Sequence, residues 1–266
     1  MINQIFNENC LDTMQKMQDN YIDLTVTSPP YDNLRDYKGY SFDFESIAKE
    51  LYRVTKDGGV VVWVVGDETK NFNESGTSFK QALYFKEIGF NLLDTMIYNK
   101  MNYAPAYPTM RRYAQVFEYM FIFSKGKPKT FNPIQWDKKE SSFKRDKYIG
   151  CKTRNKDGSQ KDGKILISTR KTKDASNVWG YPTDKAKDSK NHPAVFPEKL
   201  ANDHIISWSN ENDLIFDPFM GSGTTAKMAL INNRNFIGCE ISSDYVAIAN
   251  KRLEAVQGSL FWPMKN

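Results

Sequence analysis

Five consecutive residues, Thr27-Ser28-Pro29-Pro30-Tyr31, concentrate the sharpest chemistry in the chain. Two adjacent prolines fix successive φ angles and make the turn stiff. Their missing N–H groups leave the carbonyls of Ser28 and Pro29 to accept hydrogen bonds from a ligand. Ser28 adds a hydroxyl acceptor, and Tyr31 offers an aromatic face for stacking. Together these are the parts needed to hold a planar base by its amino group, and a base in a duplex must first be turned out of the stack. Alone, the same tetrapeptide is an ordinary proline-punctuated loop with a core tyrosine. Its place directly after an apolar strand, and a second motif downstream, favour the ligand-holding reading.

The second motif is Asp217-Pro218-Phe219-Met220-Gly221-Ser222-Gly223-Thr224-Thr225, between an expected strand and an expected helix. Glycine lets a backbone turn tightly and approach a ligand closely. The N–H groups of the helix that follows favour anionic or polar ligand atoms. Glu240 ends the next expected strand, 23 positions after Asp217. A carboxylate at about that distance binds ribose hydroxyls in nucleotide folds. No Gly-Lys-Ser/Thr follows, so this is not a phosphate-cradling Walker loop. A tight turn without a ligand and a dinucleotide site both remain open at this point.

The elements that must position these residues follow from hydrophobic spacing. Residues 22–27 read as a strand that the two prolines end. Residues 44–54 have helical spacing, closed by Asp57-Gly58-Gly59. Residues 60–65 (Val-Val-Val-Trp-Val-Val) read as a central strand covered on both faces. A helix over 79–88, stopped by Gly89, and strands over 92–98 and 119–123 complete the first part. Regular spacing dissolves from 125 to about 190. It returns as a helix over 200–208, a strand over 213–217, a helix over 223–232, a strand over 235–240 and a helix over 245–256. Strands alternating with helices predict an α/β fold with a Rossmann-like, mostly parallel sheet flanked by helices. The expected division is 1–126, an inserted basic lobe over 127–190, and 191–266.

The charge is unevenly placed. Residues 125–190 hold 19 basic and 8 acidic residues, whereas the rest of the chain holds 18 and 24. A localised positive patch is the footprint of a polyanion binder, although a solvated lysine-rich insertion has the same composition. Cys10, Cys151 and Cys239 match no metal-ligand spacing and suggest a reduced, cytosolic protein. Cys10, near a helix start, and Cys239, at a strand end, read as structural. His192 and His204 form no triad or metal cluster, and His204 reads as a satisfied core residue. No signal peptide and no membrane-spanning run are expected.

Taken together, the two motifs resemble the amino-methyltransferases of DNA, which modify cytosine N4 or adenine N6. The family's catalytic tetrapeptide, Asp/Asn/Ser-Pro-Pro-Tyr/Phe, is matched by Ser28 to Tyr31. Its cofactor loop is similar to Asp217, Pro218, Phe219, Gly221, Ser222, Gly223, Thr224 and Thr225. His192-Pro193-Ala194-Val195-Phe196-Pro197 resembles its additional cofactor-contacting stretch. Catalytic motif first, basic variable region next and cofactor loop last is the circularly permuted beta arrangement, in which the variable region recognises the target. The resemblance implies S-adenosylmethionine as cofactor, with its methionine part near the Gly221–Gly223 loop, its ribose near Glu240 and its adenine flanked by Ile241 and Phe196. It implies catalysis by Ser28, Pro29, Pro30 and Tyr31, without a metal.

Double-stranded DNA is the implied partner, a cognate restriction endonuclease is optional, and a monomer or a homodimer is allowed. A cytoplasmic enzyme of bacterial or phage type, held to the nucleoid by DNA, follows. Arg111, Arg112, Lys144, Arg145, Arg154 and Arg170 are candidate DNA contacts, most of them to phosphates rather than bases. Serine at the first motif position favours cytosine N4 over adenine N6. A cytosine-C5 enzyme is disfavoured, because no cysteine follows a proline. A nicotinamide oxidoreductase would leave Ser28 to Tyr31 unexplained, and a non-catalytic DNA binder would leave the glycine loop unexplained. RNA and protein methyltransferases share the chemistry but usually place the cofactor loop first.

Overall fold

A computed structural model of the chain describes residues 2–30, 42–103, 111–137, 147–167, 172–183 and 197–260. In chain order the elements begin with β1 (Gln4–Phe6), α1 (Cys10–Gln15), β2 (Ile22–Thr27), α2 (Phe44–Val54) and β3 (Thr55–Val65). They continue with β4 (Thr69–Lys70), β5 (Asn73–Glu74), α3 (Thr77–Glu87), β6 (Asn91–Lys100) and β7 (Phe117–Ser124). Then come β8 (Gln135–Asp137), β9 (Lys147–Arg154), β10 (Gln160–Ile167), β11 (Thr172–Asp174) and β12 (Val178–Tyr181). The last are α4 (Glu198–Trp208), β13 (Leu214–Asp217), α5 (Thr224–Ile231), β14 (Asn235–Cys239) and α6 (Ser243–Leu260).

Among the described residues, eight strands form one sheet in the order β1-β14-β13-β2-β3-β7-β6-β12. Only β7 runs against its neighbours; every other pairing in this sheet is parallel. The sheet is therefore mostly parallel and wound with helices, as the alternation of patterns predicts. Val60 to Val65 are all buried, as expected of a strand covered on both faces. Trp63 satisfies its indole N–H through Gln81 Oε1 of α3, at 2.9 Å. Helix α2 starts where the Asp43 side chain accepts from Ser46 N–H, and it buries Ile47, Ala48, Leu51 and Val54 along one stripe.

Some local readings change. Asp57-Gly58-Gly59 does not close α2. The helix ends at Val54, and Thr55 already pairs with Ile22 in β3. The register then shifts, with Gly58 at φ +78° and its N–H donated to Lys125 O. The glycines thus serve an irregularity inside the strand rather than a helix stop. β1 and α1 carry no long apolar period; β1 is a short addition at the sheet edge, and α1 packs against α2. In α1, Asn9 caps the N-terminus through Leu11 N–H, and Cys10 is buried at its first position. Cys239 is likewise buried, and burial pushes its thiol pKa well up.

His204 is the core residue expected, but only one of its ring nitrogens has a partner. It is fully buried, its Nε2 lies 3.2 Å from Met120 Sδ, and its ring packs on Trp179. Nδ1 has no hydrogen-bond partner, because the surroundings are apolar, and burial pushes the pKa down to about 3. It is a neutral packing group.

The chain divides into two compact units, Met1–Asn132 with Asn177–Asn266, and Pro133–Ser176. The smaller unit lies inside the basic stretch but is narrower than 127–190. Asn132 bonds into the end of α4, and Val178–Tyr181 pairs with β6 in the main sheet. Within the smaller unit, β9 and β10 form an antiparallel hairpin and β8 pairs with β11. No described helix is long and apolar enough to cross a membrane.

Candidate active site

Two parallel strands end side by side where the winding of the sheet reverses. β13 leads through α5 to β14 on one side, while β2 leads through α2 to β3 on the other. In open α/β sheets, the crevice outside the carboxyl ends of strands at such a switch point is where ligands bind. Both chemical motifs lie there. Ser28-Pro29-Pro30 follows β2, and Asp217 ends β13 to open the glycine-rich turn.

The two are joined directly. Thr27 Oγ1 donates to Asp217 Oδ1 at 2.6 Å, and Thr225 Oγ1 donates to the carbonyl of Val26 at 3.2 Å. Asp217 Oδ1 also accepts from Phe219 N–H at 3.0 Å, which folds the turn back on its own carboxylate. Burial pushes the Asp217 pKa up to about 6, against the lowering effect of Thr27, Thr225 and the Phe219 N–H. Pro29 and Pro218 are buried, while Ser28 and Pro30 are half-buried.

The glycine-rich turn is held on every side. Met220 N–H donates to Cys239 O, and Gly221 N–H donates to Glu240 Oε2 at 2.8 Å. Gly223 N–H returns to Met220 O. Most of these N–H groups are therefore spent inside the protein, and the turn presents less free backbone than its glycines suggest. Gly221 and Gly223 take φ +51° and +83°, the left-handed region that favours glycine. A Cβ on Gly223 would lie 2.8 Å from Ala249 Cβ of α6, and one on Gly238 would strike Met220. Phe219 turns its ring towards the core, edge-on to Trp63 and Phe42. Ser222, Thr224 and Thr225 are buried beside it.

Glu240 closes the far side. Its other oxygen accepts from Ser242 N–H at 2.8 Å. Burial raises its pKa, and these N–H donors work against the rise. Ile241, next to it, is 40% exposed. The structure thus brings together Ser28, Pro29, Pro30, Asp217, Pro218, Phe219, Gly221, Ser222, Gly223, Thr224, Thr225, Glu240 and Ile241.

Tyr31, Phe196, Lys144, Arg145 and Arg170 lie outside the described residues. Arg111 and Arg112 are exposed in the larger unit, and Arg154 is exposed on β9 of the smaller one.

A further cluster was not foreseen from the sequence. Arg252 of α6 donates from Nη1 to Ser222 O at 2.6 Å and to Ser222 Oγ at 2.9 Å. Its Nη2 donates to Glu198 Oε1 at 2.7 Å, which also accepts from Lys227 Nζ at 2.6 Å. Burial alone would raise the Glu198 pKa, but Lys227 and Arg252 overcome it and hold the carboxyl below its ordinary range. Arg252 lies 30 residues from Ser222 and 54 from Glu198, so no local spacing announces the contact.

A family model described as DNA methylase (N6_N4_Mtase) matches residues 22–251. The orphan methyltransferase M.BamHII of Bacillus amyloliquefaciens is 57% identical over 238 residues, covering 88% of this chain and 89% of that one. The type II methyltransferase M1.MboII of Moraxella bovis is 29% identical over 265 residues, covering 94% and 95%. Among solved structures, the cytosine-N4-specific PvuII DNA methyltransferase superposes with a TM-score of 0.69 at 19% identity, covering 96% of this chain and 90% of that one. The M1.HpyAVI–SAM complex gives 0.62 at 23% identity, covering 94% and 98%. With the family model spanning both motifs and the sheet between them, the chain belongs to the N6/N4 family of DNA methylases.

Proposed function

We propose that the crevice between β2 and β13 transfers a methyl group from S-adenosylmethionine to the exocyclic N4 of cytosine in double-stranded DNA. The observation that carries this reading is the Thr27–Asp217 hydrogen bond at the switch point. It couples a turn suited to an amino group with a turn suited to a nucleoside-bearing cofactor.

The residues present fit that cofactor. A buried carboxylate at Asp217, with a pKa pushed up to about 6, gains from a cationic group such as the ammonium of a methionine part. Glu240 sits half-buried with lone pairs to spare for two ribose hydroxyls, and exposed Ile241 offers an apolar face to adenine. Phe196 would cover the other face. When bound, S-adenosylmethionine supplies an electrophilic sulfonium methyl.

The chain's own part is to hold the base. Ser28 Oγ and the Pro29 carbonyl accept hydrogen bonds from the amino group and draw the nitrogen lone pair out of conjugation with the ring. Tyr31 stacks on the base. Such catalysis is positioning plus fixed dipoles. Serine at the first motif position supports cytosine over adenine. Adenine N6 is the second reading, because an amino group on either base suits the same acceptors.

The smaller unit is proposed to face DNA. Lys152, Lys156, Lys161 and Arg154 are exposed there. Expression in a host free of DNA methylation, followed by long-read sequencing, reports the modified base and its motif together. N4-methylcytosine is expected. N6-methyladenine would transfer the assignment to the second reading, and unmodified DNA from a folded, cofactor-binding protein would overturn both.

A further inference from the structure

The turn that carries Gly221 and Gly223 has an anchor outside both motifs. Two left-handed glycines flank Ser222, and glycine is the residue with the most backbone freedom to lose. Such a turn is pre-formed only if something fixes the peptide between them. Gly221 is fixed by Glu240, and Gly223 by its N–H bond to Met220 O at 2.9 Å. The Ser222 carbonyl is fixed by the Arg252 guanidinium, at 2.6 Å.

Arg252 is itself held. Its second nitrogen is bonded to Glu198, and its side chain is only 17% exposed. Glu198 is shared with Lys227 of α5, the helix that follows the turn. One planar fork therefore ties the glycine turn to the start of α4 and to α6. A bidentate arrangement of this kind needs arginine, since an ammonium presents its donors from one atom.

We propose that Arg252, held by Glu198, is the positioning residue that pre-forms the cofactor turn through the Ser222 carbonyl. This rests on the reading that the turn binds S-adenosylmethionine. Pre-forming a binding loop strengthens binding by removing an ordering cost, without adding any contact to the ligand. The effect therefore belongs in cofactor affinity, not in turnover at saturation.

The test compares the full chain with Arg252→Met and Arg252→Lys. Titration calorimetry gives the affinity for S-adenosylmethionine and for its demethylated product, kinetics gives kcat and KM, and melts without ligand give stability. Losing charge-assisted bonds to Ser222 should weaken cofactor binding at least about tenfold in Arg252→Met. KM for the cofactor should rise with it, while kcat at saturating cofactor stays near the parent's. Arg252→Lys should stay well weaker than the parent while melting like it, because one ammonium cannot serve both Ser222 and Glu198. If Arg252→Met does not fold, Arg252→Lys decides by the same criterion. Parent-like cofactor affinity in the folded variants overturns the role of Arg252, even if their melting points fall. A parent chain that binds no cofactor overturns the underlying reading, and this proposal with it.

Discussion

Ser28 and Tyr31 are proposed to serve the target base because a hydroxyl acceptor suits its amino group and an aromatic face suits its ring. Replacing either with alanine is expected to leave cofactor affinity nearly unchanged and to lower methyl transfer, for Ser28→Ala about a hundredfold, the usual cost of losing one fixed dipole at the reacting group, and for Tyr31→Ala through the lost stacking on the base. Radiolabelled transfer, measured beside calorimetry, checks both halves; parent-like turnover would remove the base pocket. Asp217 makes a different prediction. Its folded pKa, about 6, lies above the ordinary 3.8, so the neutral form favours folding. That contribution is complete below pH 3.8 and is lost as pH rises towards 6 and beyond. Ligand-free Asp217→Asn should therefore be more stable than the parent at about pH 7.5, by on the order of 1–3 kcal/mol. The gap should close below about pH 4, as urea melts across that range would show. The roles of Thr27 and Arg252 could not be read, because their partners stand 190 and 30 residues away. A side chain's type advertises what it can do, but not what the fold sets opposite it.

Helices and strands with a clear apolar pattern were readable, α2 and β13 nearly to their ends, β3 over Val60 to Val65, and α6 short by two residues at its start and four at its end. Packing against a sheet demands that pattern, so it is written into the residues. The β9–β10 hairpin was not read, because a two-stranded ribbon buries little and its lysines hide any alternation. One signal was present all the same. Asp157-Gly158 is a turn dipeptide, with Asp157 bonded to Ser159 and Gly158 at φ +85°. The junction of turn and helix is stricter still. Gly223→Ala would place a methyl 2.8 Å from Ala249 Cβ at φ +83°, and should cost about 1–3 kcal/mol in denaturant melts together with most cofactor affinity. Ala249→Gly in the same chain should return part of the space, with the backbone Cα of residue 249 still 3.1 Å away, but not the backbone strain, so recovery should be partial. Full recovery would mean that contact, rather than φ, sets the requirement.

Charge placement marks a basic stretch over 125–190, while the bounds of the compact unit inside it, 133 to 176, are not detected by any composition count. If that unit grips phosphates, DNA affinity should fall steeply with salt. Neutralising Lys152, Lys156 and Lys161 should then flatten the log–log slope by nearly one for each phosphate no longer paired with a lysine. Fluorescence anisotropy over a salt series measures it, and a slope indifferent to these lysines would reassign them to solvation. The order of the large sheet has another outcome. β2 lies between β3 and β13, and β1 lies beyond β14, so strands made early and strands made late are interleaved. A ribosome must pass residue 217 before the Ser28 turn acquires its neighbour. Chains stalled earlier carry an apolar strand with an open edge and half of the chemistry. They should be protease-sensitive and chemically silent, so interrupted synthesis yields debris for quality control rather than a stray modifier of the genome.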